Sequence, residues 1–357
     1  MKKRIERIRE KLDQENLDLL LVTALPNIRY LCGYTGSNGI LLISKDKAIF
    51  LTDFRYKEQV KKEVTDAEIK IPPKELFSFL PEIELLKGKR IKAGFEEKYL
   101  TFQLHQRLKT LLPQVLWVPT ENIVESLLVT KDEEEVRKII KAADISAKAY
   151  QEILPFFRPG TRELDIAAEL EYRIRRNGGS GSAFEPIVAS GLRSAMPHAR
   201  ASTKTLKKGE FVTLDFGASY EGYVCDITRT VVLGNATPRQ KKIYNLVLKA
   251  QTRAIDSASS GMKGFELDKV SRDIIKKAGY QEYFGHGLGH GIGLLVHDSP
   301  GINTKSQEVL KPGMVITIEP GVYIPGWGGV RIEDDVLITR NGCKILTHID
   351  RELLELS

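Results

Sequence analysis

Cysteine is scarce in this chain. Cys32, Cys225 and Cys343 are three in 357 residues, far apart and without a C-x-x-C pair. That usage argues against a disulfide framework and against a thiolate zinc site, and it suits a reducing cytoplasm. Long apolar runs are missing too: nothing approaches the roughly 20 apolar residues that a membrane helix requires, so no membrane partner is expected. The basic start Met1-Lys-Lys-Arg is followed by charges through Glu15, and the run Leu19 to Val22 is too short for the core of a signal peptide. Ile5, Ile8 and Leu12 instead mark an amphipathic helix, so the reading is a soluble, unprocessed protein. Lys and Arg total 54 against 47 for Asp and Glu, a net charge of +7. These charges are interleaved, as in Lys131 to Lys138, and no basic stripe alternates with aromatics, so nucleic acid is not an expected partner.

The length exceeds what one hydrophobic core usually supports, which points to two domains. From Leu17 to about Glu125, short apolar runs (Leu19 to Val22, Ile40 to Ile43, Ala48 to Leu51, Ile91 to Gly94) alternate with helical or polar segments and turn signals such as Gly36-Ser-Asn-Gly39. This is the pattern of a small α/β domain. The segment Asp132 to Phe157 reads as a long helix with Val136, Ile139, Ile140, Ala143, Ala147 and Tyr150 on its buried face, and the domain junction is placed just before it.

The remainder holds an internal duplication. Leu206-Lys-Lys-Gly209 followed by Thr213-Leu-Asp215-Phe-Gly217 recurs as Leu310-Lys-Pro-Gly313 followed by Thr317-Ile-Glu319-Pro-Gly321, an offset of 104 (319 − 215). Glu163-Leu-Asp165 is echoed by Glu266-Leu-Asp268, and the helix after Asp132 by one starting at Thr237-Pro238, a good N-cap and first helical residue. Two α+β halves related by a pseudo-two-fold are the expectation.

Each half carries a strand pair, and each pair carries carboxylates: Asp215 and Asp226 in the first, Glu319 and Glu333 in the second. A buried carboxylate without a partner is expensive, and four around one site would repel strongly at low dielectric. With His290 they form an oxygen-rich donor set containing one imidazole, which suits a carboxylate-bridged pair of divalent ions such as Mn²⁺, Co²⁺, Fe²⁺ or Zn²⁺. Such a pair activates water at neutral pH, so a hydrolase is expected. The alternation in Tyr223-Val-Cys-Asp226-Ile-Thr228 puts Thr228 on the face of Asp226, where its hydroxyl can hold a ligand or a water. Arg331 shares the face of Glu333 and is read either as its orienting partner, as a receptor for substrate charge or as a structural ion pair. Glu319, before Pro320-Gly321, is the candidate for a ligand that also shuttles protons.

The segment Gly285-His-Gly-Leu-Gly289-His290-Gly-Ile-Gly293 does not have the glycine spacing of a dinucleotide loop. Its glycines are read as letting the backbone approach a metal around His290. His198, in Met196-Pro-His198, and His297, in Val296-His297-Asp298, are two more of only six histidines. Next to such a centre, imidazoles can donate to a tetrahedral oxyanion or hold a substrate carbonyl.

These residues resemble the metallopeptidase family of pita-bread fold that includes aminopeptidase P, prolidase and methionine aminopeptidase. Pro26-Asn-Ile-Arg-Tyr30 through Gly36-Ser-Asn-Gly39 and Thr52-Asp-Phe-Arg55 are similar to the creatinase-type N-terminal domain. The resemblance implies an α/β creatinase-like domain over residues 1–127 and an α+β pita-bread catalytic domain over 128–357. It implies that Asp215, Asp226 and Glu333 hold one metal, and Asp226, His290, Glu319 and Glu333 the other, with Mn²⁺ first and Co²⁺ or Zn²⁺ as alternatives. The implied reaction is hydrolysis of the bond before proline, in a dipeptide or at the N-terminus of a longer peptide. Glu319 would move the proton, His198 stabilise the tetrahedral oxygen and His297 position the prolyl side. A homodimer is implied as well. Some prolidases have an arginine between the second histidine and the next glutamate that grips the dipeptide carboxylate. Here Gly301 occupies part of that loop, Lys305 is the nearest base, and Arg331 is the alternative anion receptor. Creatinase-type amidine hydrolysis and a catalytically dead peptide-binding module are the competing readings, and both expect ligands to have been lost.

Overall fold

In the computed structural model, which describes residues 2–88 and 90–356, the chain divides into two compact units between Leu128 and Val129. In the first, Ile5, Ile8 and Leu12 are buried along one side of helix Lys2–Gln14. The apolar runs form strands Leu19–Val22, Ile40–Ser44, Ala48–Leu51 and Lys92–Glu96 of a six-stranded mixed sheet. The sequence pattern did not reveal its two edge strands. Glu68–Lys70 is short and largely polar, and Leu116–Thr120 contains Pro119 and an exposed Leu116, so neither carries a hydrophobic alternation.

In the second unit, each half pairs two helices with a sheet. The first half has helices Glu133–Ile153 and Glu163–Arg176 and a sheet ordered Glu355–Leu356, Ile227–Leu233, Phe211–Phe216, Ile187–Ser190. The second has helices Pro238–Ser257 and Gly264–Lys277 and a sheet ordered Asp298–Ile302, Gly289–Gly291, Val315–Ile318, Asp334–Thr339, Gly342–Ile345. Thr237 caps the third helix in a capping box with Gln240, as Asp132 does the first with Glu135. The repeated Lys-Lys-Gly and Lys-Pro-Gly turns both need a left-handed residue: φ is 86° at Gly209 and 91° at Gly313.

Helix Glu133–Ile153 is capped by Asp132 and tightens into a 3₁₀ turn over Leu154–Phe156. Its buried stripe is rotated from the expected one. Ala142, Ser146 and Ala149 are buried, whereas Val136, Ile140 and Ala147 are half-buried. The small residues allow close approach to the first-half strands, where the Ser146 hydroxyl accepts from the Ala218 N–H at 2.8 Å.

The strand register corrects the expected matching of the carboxylates. Thr228 pairs with Asp215 and Arg229 with Leu214, while Asp334 pairs with Ile318. The counterparts across the duplication are therefore Thr228 with Glu333 and Arg229 with Asp334, and Asp226 has no acidic counterpart. Each matched pair bonds to itself across the pseudo-two-fold: Thr228 Oγ1 donates to Glu333 Oε2 at 2.6 Å and Arg229 Nη2 to Asp334 Oδ1 at 2.7 Å. Arg229 is almost wholly buried, and its remaining N–H groups reach the carbonyls of Thr228, Glu333, Ile349 and Asp350. Among the described residues, no helix is long and apolar enough to cross a membrane.

Arg229→Met would leave Asp334 as a buried, uncompensated charge, so it should destabilise the protein by about 3–5 kcal/mol. Thermal or denaturant unfolding measures this, and a loss under about 1 kcal/mol would contradict the role given to this pair.

Candidate metal centre

All five expected ligands stand at or near strand ends. Asp215 lies in Phe211–Phe216 and His290 in Gly289–Gly291. Asp226 precedes Ile227–Leu233, Glu319 follows Val315–Ile318, and Glu333 sits between Gly328–Arg331 and Asp334–Thr339. Together with His198, His297 and Arg331 they line one cavity of about 560 Å³, whereas Thr228 stands behind Glu333 and Lys305 does not reach the lining.

Carboxylate or imidazole atoms of Asp226, His290 and Glu333 lie within 4.8 Å of one another. His290 Nε2 is 3.4 Å from Glu319 Oε1 and 3.8 Å from Asp226 Oδ2. Burial holds the His290 imidazole down at about 4, so it is neutral at physiological pH. Its Nδ1 lies 3.0 Å from the Gly291 carbonyl, which can only accept, so the proton is on Nδ1 and the Nε2 lone pair faces the carboxylates. Asp215 Oδ1, Asp226 Oδ1 and Glu333 Oε1 are buried without a hydrogen-bond partner. Three orphaned anionic oxygens beside an imidazole lone pair fit hard-to-borderline divalent cations. Without a cation, burial pushes Asp226 and Glu333 well above the usual carboxylate range, and the neighbouring carboxylates push further. Burial likewise raises Glu319 to about 8, partly offset by Arg331.

Of the three places expected for Arg331, the structure shows an ion pair, with a partner other than the expected one. Its guanidinium pairs with Asp215 rather than Glu333, with further bonds from Nε to Thr228 Oγ1 (2.9 Å) and from Nη1 to Tyr323 OH (2.9 Å) and Pro197 O (3.1 Å). It is 3% exposed and four of its five N–H groups are engaged, so it orients Asp215 and reaches Glu333 through Thr228. The glycines around His290 also act differently. A Cβ on Gly289 would lie 2.1 Å from the Thr317 carbonyl oxygen and one on Gly291 2.1 Å from that of Ser299, so these glycines admit neighbouring strands rather than a metal. The ring of His297 stacks at a tilt against His290, 4.4 Å between centroids.

The sequence reading missed three members of the site. His286 lines the cavity, with Nε2 3.0 Å from Tyr323 OH. Its position four residues before His290 in the same glycine-rich segment was the available signal. Tyr323 in turn accepts from Arg331. Asp335, fully buried, accepts the Asp226 N–H at 3.1 Å, and the register alone makes that contact.

The model of metallopeptidase family M24 matches residues 137–340, and that of the creatinase/prolidase N-terminal domain matches residues 4–127. An Xaa-Pro dipeptidase of Pyrococcus horikoshii is 39% identical over 99% of both chains. An Xaa-Pro dipeptidase structure from Bacillus anthracis is 43% identical with a TM-score of 0.96, covering 99% of each chain. An X-Pro aminopeptidase structure from Thermotoga maritima is 38% identical with a TM-score of 0.90, covering 96% of this chain and 99% of that one.

The raised carboxylates set the pH response of the metal-free protein. Asp226, Glu319 and Glu333 bind protons in the folded state that they release when unfolded, so stability is present at low pH and is lost as pH rises from about 4 towards 8. The melting temperature of metal-free protein should fall between pH 5.5 and 8 (about 2 °C per kcal/mol lost), less steeply in Glu319→Gln, and Mn²⁺ should restore it most at the alkaline end. A flat metal-free profile would contradict this electrostatic picture.

Proposed function

We propose, from the premise that the chain belongs to metallopeptidase family M24, that it hydrolyses the bond before proline in small peptides, as an Xaa-Pro dipeptidase or aminopeptidase. The observation that carries this reading is the set of three orphaned carboxylate oxygens and one imidazole lone pair in a single cavity. Both competing readings require lost ligands, and none is lost here. We assign Asp215, Asp226 and Glu333 to one divalent ion and Asp226, His290, Glu319 and Glu333 to a second, with Mn²⁺ as the working metal. Two such ions, when bound, supply a water acidic enough to attack at neutral pH and polarise the scissile carbonyl.

The chain's own groups do the rest. Glu319 takes the proton of the attacking water on a carboxylate oxygen and returns it to the departing prolyl nitrogen. Its tendency to hold a proton when buried suits it to that exchange. His198 donates to the tetrahedral oxygen, and His297 and His286 shape the prolyl side. Arg331 aims Asp215, and Thr228 holds Glu333 through its hydroxyl. We take the working unit to be a cytoplasmic homodimer, which sedimentation tests.

Mn²⁺-loaded protein should release the N-terminal residue from at least one of Ala-Pro, Leu-Pro and Arg-Pro-Pro, and failure on all three, also with Co²⁺ or Zn²⁺, would refute the assignment. Asp226→Ala should abolish turnover with the fold retained by circular dichroism. His198→Ala should lower kcat by about 10²-fold or more while metal content stays at the wild-type level. Loss of metal in that variant would place His198 among the ligands instead.

A further inference from the structure

The charge lining the catalytic cavity leaves one question that the reaction itself does not answer. A dipeptide cut before proline carries its C-terminal carboxylate into the cavity, which is already lined by Glu185, Asp215, Asp226, Glu319 and Glu333. Divalent cations would compensate the inner four. The incoming carboxylate needs a cation of its own, because like charges in a partly desolvated cleft repel strongly.

Among the lining residues the arginines are Arg200 and Arg331, and there is no lysine. Arg331 is buried and engaged with Asp215, Thr228, Tyr323 and Pro197. The segment after His297 contributes Gly301 and Asn303, neither of them charged. Lys305 is exposed and does not line the cavity. Arg200 differs from Arg331 in each respect that matters. Its side chain is 82% exposed and pairs with Glu185, itself 62% exposed, at 3.3 Å. A surface pair of this kind is weak and easily exchanged.

The Arg200 backbone, in contrast, is fixed. Its carbonyl accepts from Arg193, whose Nε donates to the fully buried Glu163 at 3.0 Å. Glu163 also accepts from the N–H and hydroxyl of Ser190 and of Ser202. One buried carboxylate thus ties both ends of the segment that carries His198 and Arg200. A loosely held guanidinium on a rigid backbone can turn from Glu185 to a ligand without reordering the loop, and its planar fork matches a carboxylate.

Resting on the Xaa-Pro reading, we propose that Arg200 receives the C-terminal carboxylate of a dipeptide substrate, so that this chain prefers free dipeptides to substrates whose carboxylate is blocked. Glu185 parks the guanidinium when no substrate is present.

The test compares Ala-Pro with Ala-Pro amide on the Mn²⁺-loaded enzyme. Wild type should favour the free acid, and Arg200→Gln should lower the acid-to-amide ratio of kcat/KM about tenfold, through KM rather than kcat, as expected for loss of one charge-assisted contact. Arg200→Lys should recover part of the ratio, and Lys305→Gln should leave it at the wild-type value. An unchanged ratio in Arg200→Gln would overturn the proposal, as would equal losses on acid and amide. If wild type cleaves neither of these, nor Leu-Pro or Arg-Pro-Pro with any of the three metals, the Xaa-Pro reading fails by itself. Calorimetric binding of the two peptides then decides on Arg200: an acid preference that Arg200→Gln removes supports the role, and equal binding overturns it.

Discussion

Four carboxylates held together out of water are the constraint on which the rest of the catalytic unit depends. Asp215, Asp226, Glu319 and Glu333 repel one another, and burial together with that repulsion favours the protonated form of Asp226, Glu319 and Glu333. Two local devices make the cluster tolerable without abolishing it. Arg331 pairs with Asp215 and the Thr228 hydroxyl donates to Glu333, whereas the Asp335 carboxyl, which accepts the backbone N–H of Asp226, adds to the repulsion. Neither device satisfies the oxygens that face the cavity, and those oxygens are what a divalent cation would take.

The duplication explains how such a site can be assembled. Two similar α+β halves bring strand ends to a common seam, and register puts Arg229 opposite Asp334 and Thr228 opposite Glu333. The seam is therefore asymmetric in charge where the halves are symmetric in backbone. That asymmetry supplies the cation and the hydroxyl that the acidic residues require. Beyond the seam, both halves use a buried carboxylate on a helix to fix a histidine-bearing segment. Glu163 does so for the segment around His198, and Asp268, with Arg272, holds the carbonyl of His286 and the N–H of Leu288.

Much of this was legible in the sequence, because repeated turns and period-two strands expose Asp215 and Glu319 as matched positions and a charged residue in an apolar strand demands a reason. The helix starts at Thr237 and Asp132 were equally plain, since capping is a local signal. What stayed hidden depends on long-range register. Asp335 touches Asp226 across 109 positions, and no local pattern encodes that contact. Arg331 was visible as a nearby cation, yet its choice of Asp215 over Glu333 follows from how two strand pairs meet. The glycines around His290 looked like room for a metal, whereas the room is taken by the backbones of Thr317 and Ser299.

Anomalous scattering from crystals of the protein equilibrated with Mn²⁺ tests the central electrostatic claim most directly. Two peaks within coordination distance of the orphaned oxygens, both touching Asp226 and Glu333, are the outcome this account predicts. A cavity that stays free of manganese while the four acidic side chains keep these positions would mean that protons balance the cluster, and the hydrolytic assignment would be wrong.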